Sequence, residues 1–133
     1  MASVTYELFL EAMRGKRQIV CVYQGHRREL CPILLGRTNL EEFSLTFQFG
    51  GDTSAGPISP PGSWKCLKLK DVRDAVLRDG PWHAGDSHSA AQSCMKMVEY
   101  DVNPSSPYNP VFRLRPIPAK SLEIWPKNAI SGG

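Results

Sequence analysis

The sequence predicts a mainly β (α+β) domain: a small, strongly bent antiparallel sheet or barrel with one N-terminal helix and an extended C-terminal arm. Three observations predict it. Eleven glycines and eleven prolines make up about a sixth of the 133 residues, too many for a helical bundle and suited to short strands and turns. Apolar residues recur at helical spacing over residues 4–14, and from Gln18 the period switches to two. Six of the eleven prolines fall between Pro104 and Pro126. The chain therefore reads as a β domain over residues 4–80, followed by a Pro-rich segment, 81–133, that packs on the same domain.

Leu8, Phe9, Ala12 and Met13 give residues 4–14 one apolar face. Ser3 or Thr5 can cap the helix start, and Gly15 suits the left-handed position after its end. Arg14, Lys16 and Arg17 complement the C-terminal end of the helix dipole. Residues 18–24 are apolar on both faces, as a central strand should be. Gly25-His26 turns into a second strand, 28–36, in which Pro32 lacks an N–H and belongs at an edge or a bulge. Residues 43–49 alternate most cleanly. Phe43, Leu45, Phe47 and Phe49 share one face and Ser44, Thr46 and Gln48 the other, which predicts a half-buried strand whose polar face is wet or lines a binding surface.

Residues 52–62, rich in Gly, Ser and Pro, read as a mobile or ligand-facing loop. A fourth strand follows at 63–69, a fifth near Val72–Leu77, and one more within 93–102. In the arm, Tyr108, Val111, Phe112, Leu114, Ile117, Leu122, Ile124 and Trp125 can each anchor it to a core.

The net charge of +3 is too small for the basic stripe of a dedicated duplex binder. The longest apolar run, Ile19 to Tyr23, is far short of the ~20 residues a membrane helix needs, and Met1 to Arg17 does not read as a signal peptide. Cys21, Cys31, Cys66 and Cys94 show no paired spacing. The first three lie in apolar strands, where cysteine acts as a small hydrophobe. These features predict a cytoplasmic protein with reduced thiols and no membrane association.

In order and spacing, LFLEAMRGKRQIVCVYQG, then Arg28-Glu29-Leu30-Cys31-Pro32, then Phe43 to Gly51, then WKCLKLKDVRDAVL resemble the WYL family. The resemblance covers about residues 6–80. Arg28 falls on the arginine of the family's R-x-V-x-P step, and Lys68 on the first basic residue of its F-R-L-D-R-I strand. Glu42-Phe43-Ser44 replaces the namesake Trp-Tyr-Leu, and Lys70-Asp71 stands where the family has Asp-Arg, so that second arginine is lost. A divergent, stand-alone member is implied. That implies an SH3- or Sm-like barrel that senses a ligand, often a nucleic acid or nucleotide, and regulates something else.

The candidate ligand-binding residues are accordingly Tyr23, Arg28, Lys68 and Trp64. Cations on neighbouring strands can hold phosphates, and an aromatic ring can stack a base. Lysine at 68 offers a point charge where arginine would be bidentate. Trp64 reads either as a stacking platform or as a core residue, and Arg28 and Lys68 either as ligand contacts or as ordinary solvated strand residues. His83, His88 and Cys94 form the one metal-like or catalytic-like cluster, at a spacing that fits no closed zinc site. No phosphate-cradling loop or catalytic motif is present.

The expected function is thus non-enzymatic, without cofactor: a ligand-sensing module for single-stranded nucleic acid or a nucleotide, held by Arg28 and Lys68 beneath the 52–62 loop. The alternative is a protein–protein interaction or homo-oligomerisation module, to which the Pro-x-x-Pro steps from Pro104 to Pro110 point. Those same prolines also suit a cover over the chain's own sheet edge.

Overall fold

A short helix, α1 (Val4–Gly15), opens the chain, and Ser3 caps it: its hydroxyl accepts from the Tyr6 N–H at 3.1 Å and donates to Glu42 at 2.5 Å. The computed structural model describes residues 2–83 and 94–115. His88, Ile117, Leu122, Ile124 and Trp125 therefore lie outside the described residues. Tyr6, Phe9, Ala12 and Met13 form the buried face of α1. Tyr6 replaces the expected Leu8, which is only half-buried. The left-handed residue ending the helix is Lys16 (φ 51°) and not Gly15, because α1 runs one residue further than its apolar pattern.

Six strands follow: β1 (Gln18–Tyr23), β2 (His26–Thr38), β3 (Glu41–Gly51), β4 (Ser63–Lys68), β5 (Val72–Arg78) and β6 (Met97–Asp101), with a 3₁₀ turn, Leu69–Asp71, between β4 and β5. They form one antiparallel sheet in the order β4-β3-β2-β1-β5, and β6 also pairs with β2. Among the described residues the sheet has two ends, β4 and β5, and no ladder joins them, so the closure of a barrel is not seen.

Strand β2 organises the rest. One edge pairs with β3 along nearly its whole length. The other pairs first with β1, through Leu30, and then with β6, from Leu34 to Arg37. Pro32 lies in the gap between those partners, where the β3 register also shifts, so its missing donor interrupts no regular ladder. Gly36 admits β6: a Cβ there would collide with the Met97 carbonyl oxygen.

Two apolar clusters flank the sheet. Phe9, Met13, Ile19, Cys21, Leu30, Leu35, Leu67 and Leu69 pack beneath α1. Ile33, Leu34, Leu45, Phe47, Met95 and Val98 pack on the other side. This double cover corrects the expectation for β3. Ser44, Thr46 and Gln48 are fully buried, while Phe43 and Phe49 keep some exposure. The hydroxyls pair internally, Ser44 with the Leu34 carbonyl at 2.7 Å and Thr46 with the Lys65 carbonyl at 3.0 Å, as dry polar groups must.

The cysteines bring a second correction. Cys66 is exposed and bonded to Cys94, so it is neither a buried hydrophobe nor a reduced thiol. The bond ties β4 to the residues entering β6. Cys21 and Cys31 are the free, buried thiols. Among the described residues no helix is long and apolar enough to cross a membrane.

Candidate anion-binding site

The β1–β2 hairpin builds the site. Gln24 and Gly25 both take positive φ, 54° and 78°, the two-residue turn whose twist matches paired strands. It sets Tyr23 opposite His26 and Cys21 opposite Arg28, so the Tyr23 and Arg28 side chains share the sheet face beneath α1.

Arg28 is 4% exposed. Its guanidinium carbon lies 5.2 Å from the centre of the Tyr23 ring, a cation–π arrangement. Its Nε donates to the Tyr23 carbonyl and its Nη1 to Gln48 Oε1, both at 3.3 Å. The Gln48 amide is fixed in turn, donating to the Gly50 and Asp52 carbonyls at 3.0 Å. Among the described residues no carboxylate lies within the 4.0 Å of an ion pair with Arg28. Asp52 is the carboxylate of the adjoining loop, and it faces His26 Nδ1 at 3.5 Å. Glu29 is taken by Arg78 at 3.0 Å and by Arg27. Nor does Cys21 supply a counter-charge, because burial pushes its thiol up to about 11 despite the Arg28 charge beside it.

Gly51 closes the site on one side. Its φ is +86°, and a Cβ there would strike the Arg27 carbonyl, so the chain at 50–52 can lie against β2 only with glycine. The 52–62 loop leaves from this point with internal order: Thr53 and Gly56 exchange backbone bonds, and the Ile58 N–H donates to the Gly51 carbonyl at 3.1 Å.

The structure brings Tyr23 and Arg28 together but not the other two candidates. Lys68 reaches Tyr23 only through its backbone N–H, which donates to the phenol oxygen at 3.1 Å. Its ammonium pairs with Glu41 at 3.4 Å; that pairing, with Lys70 also nearby, holds the Glu41 carboxyl below its ordinary range. Strand register puts Lys68 beside Phe43 and Trp64 beside Phe47, on the face opposite Arg28. Trp64 meets the Phe47 ring edge-on at 5.3 Å. Sequence reasoning missed Gln48 as the partner of Arg28. Its pairing with Leu30 across β2 and β3 depends on a register shift that no local pattern announces.

The histidine–cysteine cluster takes a different form. His83 stacks on Phe49 at 4.1 Å, and the Cys94 sulfur is committed to Cys66, leaving no thiol there for a nucleophile or a metal. Chemically, the Arg28 site offers fixed donors on an aromatic ring, suited to holding an anion. Comparison with protein-family models, with curated proteins and with solved structures finds no match to this chain.

Proposed function

We propose that this chain is a non-enzymatic, WYL-like sensing module whose ligand, a nucleotide or single-stranded nucleic acid, brings a phosphate to Arg28. One observation carries the reading: a guanidinium almost wholly buried, with two long hydrogen bonds and, among the described residues, no carboxylate partner. Burying an ion costs on the order of several kcal/mol even after relaxation, so arginines kept only for stability are normally paired. A ligand phosphate would supply the missing charge and a bidentate acceptor. The strand order and the N-terminal helix support an SH3- or Sm-like arrangement, open between β4 and β5.

The test is calorimetric titration of the protein with ATP, and anisotropy with a labelled uridine homopolymer. Arg28→Met is expected to abolish binding of at least one. Unchanged affinity for both would end the reading. A protein-interaction module is the second reading, favoured by Val111 and Phe112, adjacent and about half exposed. Concentration-dependent mass by light scattering, lost in Phe112→Ala, would support it.

A further inference from the structure

The C-terminal end of α1 and residues 101–115 enclose a groove of about 930 Å³, lined by Lys16, Arg113 and Arg115 among others. That volume is in the range of small-molecule pockets. A smaller cavity of about 390 Å³ adjoins it, shares Phe112, Arg113 and Arg115, and adds Arg14. Four cations thus line two cavities that share a wall, in a chain whose net charge is only +3.

Their charge is hardly compensated. Among the described residues Lys16, Arg113 and Arg115 have no ion pair. Arg14 has a loose one, 3.9 Å from Glu11 with both side chains exposed. The carboxylate in the lining, Asp101, is buried and accepts from the Asn103 N–H at 2.8 Å. Arg17, by contrast, is held by Asp79 at 2.7 Å.

An aromatic ring stands among these cations on a fixed support. The Val111 and Phe112 N–H groups donate to the Val98 and Glu99 carbonyls of β6 at 3.0 and 2.9 Å, and Arg14 Nε donates to the Arg115 carbonyl at 3.0 Å. Phe112 stacks on Tyr100 at 5.4 Å and is still 50% exposed. A half-exposed ring amid arginines is what a sequence-tolerant strand binder presents, since the ring stacks a base and the cations follow the backbone.

We infer that this groove is a second anion site, binding the phosphodiester backbone of single-stranded RNA or DNA with one base stacked on Phe112. It lies by the β6-paired half of β2, away from Arg28, and shares no residue with that site. The test uses anisotropy of labelled uridine and thymidine homopolymers on the full chain at several salt concentrations. Three or four phosphate contacts predict a log–log salt slope of about −2 to −3. Arg113→Gln with Arg115→Gln should flatten that slope by about 1.4, and Phe112→Ala should weaken binding at least about fivefold. Both changes are on the surface, and circular dichroism checks that they fold. The groove variants should keep ATP binding, which separates this groove from the Arg28 site. Homopolymer affinity unchanged by both groove variants, or a Phe112→Ala variant that loses only self-association, would overturn the inference. A uridine-only or thymidine-only response would support it and name the strand.

Discussion

Two of the three arginines of strand β2, one near each end, lie over a tyrosine ring. Arg37 lies 5.0 Å from the Tyr6 ring and Arg28 5.2 Å from the Tyr23 ring. Around them the chemistry diverges. Arg37 meets Glu99 at 3.2 Å and Glu42 at 3.5 Å, Glu42 also accepts from the Ser3 N–H at 2.9 Å, and the Tyr6 hydroxyl donates to Glu99. Burial, then the Glu99 bond, raises the Tyr6 pKa, so the phenol stays a donor. That network is closed, and it pins the start of α1 to β2, β3 and β6. The Arg28 end has the same cation–π frame and deeper burial, and among the described residues no carboxylate pairs with Arg28. A closed network explains itself by stability. An open one leaves a charge that a ligand could meet, and that contrast supports the ligand proposed at Arg28.

The sharpest way to break the contrast is Arg37→Met. It strands Glu99, 8% exposed, and should lower the unfolding free energy by about 3 kcal/mol, the low end for a broken buried pair because Arg37 keeps 23% exposure. Urea denaturation measures it, and a loss under about 1 kcal/mol would remove the structural role given to that corner. The tyrosines come next. Tyr6→Phe deletes a bond to a charged group and should cost about 2 kcal/mol, whereas Tyr23→Phe, which only stops accepting from the Lys68 N–H, should cost about 1. If the order reverses in the same denaturation series, the two corners are not distinguished by charge compensation.

Arg28→Met should change stability by less than about 1 kcal/mol, since losing two long hydrogen bonds is offset by removing a poorly compensated buried charge. A loss as large as that of Arg37→Met would make Arg28 structural. The smallest effect concerns pH. Its bonds to Arg78 and then Arg27 hold the Glu29 carboxyl below its ordinary 4.5. A depressed folded pKa means the stabilisation is complete above the unfolded value and fades as pH falls through the folded one. Glu29→Gln should therefore flatten the loss of stability below about pH 4.5 and leave ligand affinity at Arg28 unchanged. A stability curve as steep as wild type would show that the pairing of Glu29 with Arg78 and Arg27 contributes nothing to stability.

Local chemistry was enough to read α1 with a cap at Ser3 or Thr5, six strands along the chain and the irregularity at Pro32. Caps, turns and periodicity act over a few residues, so a short window contains their causes. Alternation in β3 also separated Phe43, Leu45, Phe47 and Phe49 correctly from Ser44, Thr46 and Gln48. It could not say which set would be drier, because periodicity assigns a side to each residue and not what comes to cover that side. The tertiary structure decided that the polar set is buried, that Lys68 and Trp64 turn away from Arg28, and that Cys66 meets Cys94 across 28 residues. It also decided which arginine of β2 found its carboxylates. Each of these depends on segments distant in sequence arriving at one place, and charge compensation, like burial, belongs to that arrival rather than to any residue alone.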